Sequence, residues 1–114
     1  MKNREIEFRG KTIDNEFEYG LLSRIQNNYY ISNSYGKPFA FQVSIETIGQ
    51  FTGLYDKDGV KVFEGDILED GIVYFDEKYL GFFVKLGGKF QGPLFDIPLP
   101  KVLGNIHEHK EMIL

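Results

Sequence analysis

Between Thr47 and Leu68 the chain reads Thr-Ile-Gly-Gln-Phe-Thr-Gly-Leu-Tyr-Asp-Lys-Asp-Gly-Val-Lys-Val-Phe-Glu-Gly-Asp-Ile-Leu. Gly49, Gly53, Gly59 and Gly65 punctuate it, each beside a short β-branched or aromatic run. Glycine inside a helix costs about 1 kcal/mol relative to alanine, so glycines at this density leave no room for a long helix. The stretch must instead fold back on itself. Asp56-Lys57-Asp58-Gly59 supplies a hairpin turn, because Asp-Gly tolerates the positive φ that tight hairpins require, and Lys61-Val62-Phe63 returns as a strand. Glu64-Gly65-Asp66 bends the chain again, with Asp66 placed to cap backbone N–H groups of the bend. These turns need Gly59 and Gly65 for backbone reasons, so Gly65→Val is expected to damage folding more than Asp58→Ala.

The flanking sequence follows the same grammar. Residues 4–9 alternate charged and apolar side chains, which predicts a half-buried strand with Ile6 and Phe8 inward, Arg9 outward, and a break at Gly10-Lys11. Phe17 and Tyr19 repeat the alternation. Asn27-Asn28 predicts a turn into Tyr29–Ile31, and Asn33–Pro38 reads as an irregular loop. Phe39, Phe41 and Val43 resume a period of two, and Ile45–Thr47 is a candidate for one short helical turn. After Leu68, turn signals recur at Asp70-Gly71, Asp76-Glu77-Lys78, Gly87-Gly88 and Gly92-Pro93. Short strands spaced in this way predict a small barrel or sandwich. Pro93, Pro98 and Pro100 bar residues 93–100 from a central strand. Val102–Ile106 closes the set, and the tail from His107 predicts a short helical turn. The chain is thus expected to be all-β, with a β-rich lobe over 1–55 and a barrel lobe over 56–114.

The chemistry-bearing patterns are sparse. With no cysteine there is no disulfide, thiolate metal site or thiol nucleophile. Asp56-x-Asp58-Gly59 has the middle of a calcium loop, but Leu54 and Gly65 fall where its first and last carboxylate ligands belong. His107-x-His109 would share a face on a strand and so a metal, without an evident third ligand. Gly87-Gly88-Lys89 lacks the rest of a phosphate loop. Glu64, Asp66, Glu69 and Asp70 cluster as an acid–base set would, yet on turns and strand ends they read as solvated charges, Asp66 excepted. Tyr29, Tyr30, Tyr35, Phe39 and Phe41 with Arg24 and Lys37 mix rings and cations as a single-strand nucleic-acid surface does. Alternate rings in a core, with the remainder at a subunit contact, account for the same pattern. No catalytic residue, cofactor site or metal site is assigned.

Charge separates the halves. Residues 1–55 carry six basic and six acidic side chains, whereas residues 56–114 carry seven and eleven. The acidic second half opposes non-specific grip on a phosphate backbone. The opening residues have no signal-peptide core and no apolar run approaches membrane length, so the expected location is the cytoplasm.

The block Ile48-Gly49-Gln50-Phe51-Thr52-Gly53-Leu54, then Asp56-Lys57-Asp58-Gly59, then Val62-Phe63-Glu64-Gly65-Asp66-Ile67 closely resembles the central signature of the YopX family of phage and prophage proteins in low-GC Gram-positive bacteria. Ile6–Lys11 resembles the family's start and Val102–Glu108 its ending, while residues 12–46 match little. The usual proline-containing tail is replaced here by Glu108-His109-Lys110. The resemblance implies an SH3-like barrel for the second lobe and a phage accessory role without known catalytic residues. The expected partners are further copies of the chain and a host or phage protein, with nucleic acid as the alternative and no membrane.

Overall fold

A computed structural model of the chain describes residues 5–33, 40–69, 71–86, 89–93 and 99–113. It is all-β apart from two single-turn 3-10 helices, Ile45–Thr47 and Lys110–Ile113. The strands are β1 (Phe8–Lys11), β2 (Phe17–Ile25), β3 (Asn28–Ser32), β4 (Ala40–Val43), β5 (Gly49–Tyr55), β6 (Lys61–Phe63), β7 (Asp66–Leu68), β8 (Gly71–Asp76), β9 (Gly81–Leu86), β10 (Lys89–Pro93) and β11 (Val102–Asn105). They hydrogen-bond in the orders β4-β3-β2-β1-β5-β6 and β10-β9-β8-β7-β11, with antiparallel pairing from β4 through to β5 and throughout the second sheet. The chain divides into compact units Met1–Phe51 and Thr52–Leu114, with β5 running from one into the other.

In the first unit, β1 lies further along the chain than alternation suggests, and both its faces are covered. Arg9 and Lys11 are each only 5% exposed. Their cationic heads lie 4.7 and 5.2 Å from the Phe17 ring centroid, and Lys11 Nζ donates to Asn15 Oδ1 at 3.0 Å. A ring quadrupole attracts cations most strongly once water is excluded, which is how two charged side chains tolerate burial here. Gly10 continues the strand instead of breaking it. A Cβ at Gly10 would sit 2.9 Å from both Cβ and Cγ2 of Val43, so the absent side chain lets β4 pack onto β1. Ser44 N–H then donates to the Lys11 carbonyl at 2.9 Å, and Lys11 N–H donates to Thr47 Oγ1 at 2.8 Å. Ile31 and Val43 are buried in this unit. The Asn33–Pro38 loop lies, after Asn33, outside the described residues. The β2–β3 turn is Gln26-Asn27, one residue before the predicted pair, with Gln26 at a φ of 58°.

In the second unit Val62, Leu68, Val73, Val84 and Leu99 form one core, with Leu54, Phe82 and Val102 against it. The Asp56–Val60 turn is a three-residue hairpin loop. Asp56 N–H donates to the Val60 carbonyl and Gly59 N–H to the Asp56 carbonyl, and Gly59 takes a φ of 80°. Gly59 alone supplies the left-handed residue of the turn, as in a type I turn closed by a glycine bulge. Pro93 ends β10, which is terminal in its sheet, where a missing donor is tolerated. The sheet of five strands is open: among the described residues β10 and β11 are its two ends and do not pair, so no closed barrel is formed. The predicted all-β class therefore stands as antiparallel sheets.

Candidate functional site

The glycine-rich signature is assembled around backbone groups. Gly49 is buried in β5 opposite Arg9, and Gly53 takes a φ of 88° with nothing near its missing side chain. Gly65 takes a φ of 94°, donates its N–H to the Val73 carbonyl and accepts from Ile106 N–H, each at 2.9 Å. Asp66, 2% exposed, accepts from Phe63 N–H through Oδ2 at 2.7 Å. Glu69 is exposed and Asp70 lies outside the described residues.

Asp56 is the buried carboxylate that sequence reading passed over as half of a failed calcium motif. Oδ1 accepts from Asp58 and Val60 N–H at 2.8 and 2.9 Å, and Oδ2 from Val102 N–H at 2.9 Å. Lys57 N–H completes the junction by donating to the Leu99 carbonyl at 3.0 Å. Burial pushes the carboxyl pKa up, but the N–H groups of Val102, Val60 and Asp58 outweigh it and, with Lys101, hold it below the ordinary aspartate value. Both oxygens are thereby committed to the backbone.

The histidine pair is not on a strand. β11 stops at Asn105, and residues 106–108 form a turn organised by the Asn105 side chain, whose Oδ1 accepts from His107 and Glu108 N–H at 3.0 Å. His109 Nδ1 accepts from Asn105 N–H at 3.1 Å, which places any ring proton of the neutral form on Nε2. The asparagine supplies a local alternative to ladder bonding, and that ends the strand early. Among the described residues no group of three metal-binding side chains gathers. A Cβ on Gly104 would lie 2.6 Å from His109 Nδ1 and 2.8 Å from its Cγ. Gly104→Ala is accordingly expected to displace the ring and cost about 1–2 kcal/mol in a urea melt.

Three surfaces remain as candidates, two of them in the first unit. On one side of β2, Tyr19, Leu21 and Ile25 are exposed in a row. Between the β1–β2 turn and β4 runs a groove of about 660 Å³, lined by Asp14, Glu16 and Glu18 together with Phe41 and Val43. Near its end Ser44 Oγ donates to the Glu46 carboxylate; that bond, then the Glu46 backbone N–H, holds the Glu46 pKa below the ordinary value despite slight desolvation.

The third surface is the β8–β9 hairpin of the second unit. Phe75 and Phe82 meet edge-on at 5.4 Å, and Tyr79 lies 5.7 Å from Phe83. Lys78 lies 5.4 Å from the Tyr79 ring and Lys85 5.3 Å from Tyr74. Asp76 Oδ1 accepts from Lys78 and Tyr79 N–H, and Leu80 takes a φ of 53°, a left-handed conformation that is rare for so large a side chain. Burial, then the Asp76 charge, raises the Tyr74 pKa. Of the aromatic set singled out in sequence, Tyr29, Tyr30 and Phe41 are half-buried and Arg24 lies 5.8 Å from the Tyr29 ring. Tyr35, Lys37 and Phe39 lie outside the described residues.

The sheets define a small all-β protein of two compact units. The family model described as YopX protein matches residues 5–113, and the chain belongs to that family. A comparison with curated proteins returns no match. Among the described residues no helix is long and apolar enough to cross a membrane.

Proposed function

We propose that this is a non-catalytic interaction protein, a phage or prophage accessory factor of the bacterial cytoplasm that associates with copies of itself and engages a host or phage protein. The observation that carries this reading is the row Tyr19, Leu21 and Ile25, which are 37%, 62% and 61% exposed along β2. Strand alternation puts them on one side. Scattered apolar side chains are ordinary on a protein surface, whereas a row on a sheet face is what an interface buries. The cations of the same face, Arg9 and Lys11, are drawn in against Phe17, which leaves the row with little charge around it.

Light scattering on the wild-type chain is expected to give a multiple of the chain mass. The double variant Leu21→Lys, Ile25→Lys should weaken association at least about a hundredfold, since each lysine must be desolvated at the contact, and leave the melting temperature almost unchanged. A wild-type monomer at high micromolar concentration overturns the reading.

A second reading, nucleic-acid binding through the open sheet of the second unit, is favoured by the lysine–ring pairs of the β8–β9 hairpin and the 59% exposed Tyr79. Asp76 and Glu77 in the same turn oppose it. Binding that falls steeply with salt supports it, and silence toward single-stranded and duplex DNA and RNA at low salt removes it.

A further inference from the structure

We propose that the groove between the β1–β2 turn and β4 is a docking site for an extended, cationic and apolar peptide segment of a partner protein. The inference is independent of self-association through β2. One wall is the turn with its carboxylates Asp14 and Glu16, continued by Glu18 on β2; the other is β4. The walls meet where Ser44 N–H donates to the Lys11 carbonyl. Val43, 6% exposed, and the half-buried Phe41 form an apolar floor. Ile13, fully exposed at the lip, adds an apolar contact that water alone does not reward.

The electrostatics of the lining select the occupant. Among the described residues Lys11 is its one cation, and that charge is already held by Asn15 and the Phe17 ring. Glu18 Oε1 accepts from Asn33 Nδ2 at 3.2 Å, which orients the carboxylate. Asp14 and Glu16 are exposed at the rim. Three carboxylates above an apolar floor complement lysine or arginine side chains that flank leucine-like ones, and they repel a phosphate backbone. The volume falls within the roughly 300–1,000 Å³ of ligand clefts. β4 is terminal in its strand order, so an extended segment laid along it matches the groove in shape.

The test is a titration of the isotopically labelled full chain with the synthetic peptide acetyl-Lys-Leu-Arg-Leu-Lys-amide, followed by amide chemical shifts. Shifts confined to Lys11–Glu18 and Phe41–Ser44 are expected. The double variant Asp14→Lys, Glu16→Lys should weaken binding about tenfold with an unchanged melting temperature. A Lys-Gly-Arg-Gly-Lys peptide should bind more weakly, and a Glu-Leu-Glu-Leu-Glu peptide should leave the spectrum unmoved. Shifts scattered over the surface, equal binding of the acidic peptide, undiminished binding by the variant, or a single-stranded oligonucleotide that occupies the same amides more tightly overturns the proposal. Light scattering on the same samples keeps its failure separate from any failure of self-association.

Discussion

Replacing Asp56 with alanine is expected to lower the unfolding free energy by about 3 kcal/mol or more, measured by denaturant melts. The variant removes one carboxylate but strands three backbone donors, on Asp58, Val60 and Val102, in a site where the side chain is 5% exposed. The three bonds are part-buried, and an N–H group left unsatisfied where water reaches it poorly carries a larger penalty than the net worth of the bond it loses. Two of the three donors belong to the hairpin loop and the third begins β11, so both the turn and the strand it anchors should loosen. Asp56→Asn, which retains one acceptor oxygen, should fall between wild type and alanine. The same carboxylate gives a pH dependence of definite sign. Its folded pKa lies below the unfolded value of 3.8, so the ionised form is the one that folding favours. Its contribution is present in full above 3.8 and is lost as pH falls through the lower folded value. Wild type should therefore lose stability relative to Asp56→Ala on acidification through this range. A difference between the two melts that does not shrink with falling pH contradicts the assignment.

Gly65→Val is expected to cost about 3 kcal/mol, and Asp58→Ala no more than about 0.5 kcal/mol. Gly65 holds a φ of 94°, a region that a β-branched side chain enters only under strain, and it is buried between two backbone bonds that tie β8 and the end of β11 to the bend. Relief by moving the backbone would break one of those bonds. Asp58 contributes its N–H to Asp56, and alanine keeps that donor while removing only an exposed carboxylate. Equal, small shifts in melting temperature for the two variants would contradict this account. Asp66→Ala in the same bend removes the bond that Phe63 N–H donates to Asp66 Oδ2.

The turns were legible in sequence because their chemistry is local. Asp56–Gly59, Glu64–Asp66, the single helical turn at Ile45–Thr47 and the strand Lys61–Phe63 all stand where the residue types require them. Alternation failed at β1, since a period of two assigns charged residues to solvent. It contains no information on whether a ring such as Phe17 will cover Arg9 and Lys11. The last strand does end before His107 and His109, as the expected close at Ile106 and helical tail require, because Asn105 turns its side chain to the N–H groups that follow. The carboxylates of the groove gave no sequence signal, because Glu16 and Glu18 alternate like any solvent-facing pair. Their meeting with Phe41 and Val43 depends on the missing side chain of Gly10.

By itself the sequence determined an all-β chain of short antiparallel strands, the places of its tight turns and its family, because backbone preferences at glycine, aspartate and proline act within a few residues. The tertiary structure decided which charges are buried, which apolar rows face outward and which residues line a groove. Those outcomes depend on contacts between strands distant in the chain: Asp56 is a calcium-like fragment in one dimension, and in three it accepts from Asp58 and Val60 in its own turn and from Val102 at the start of β11.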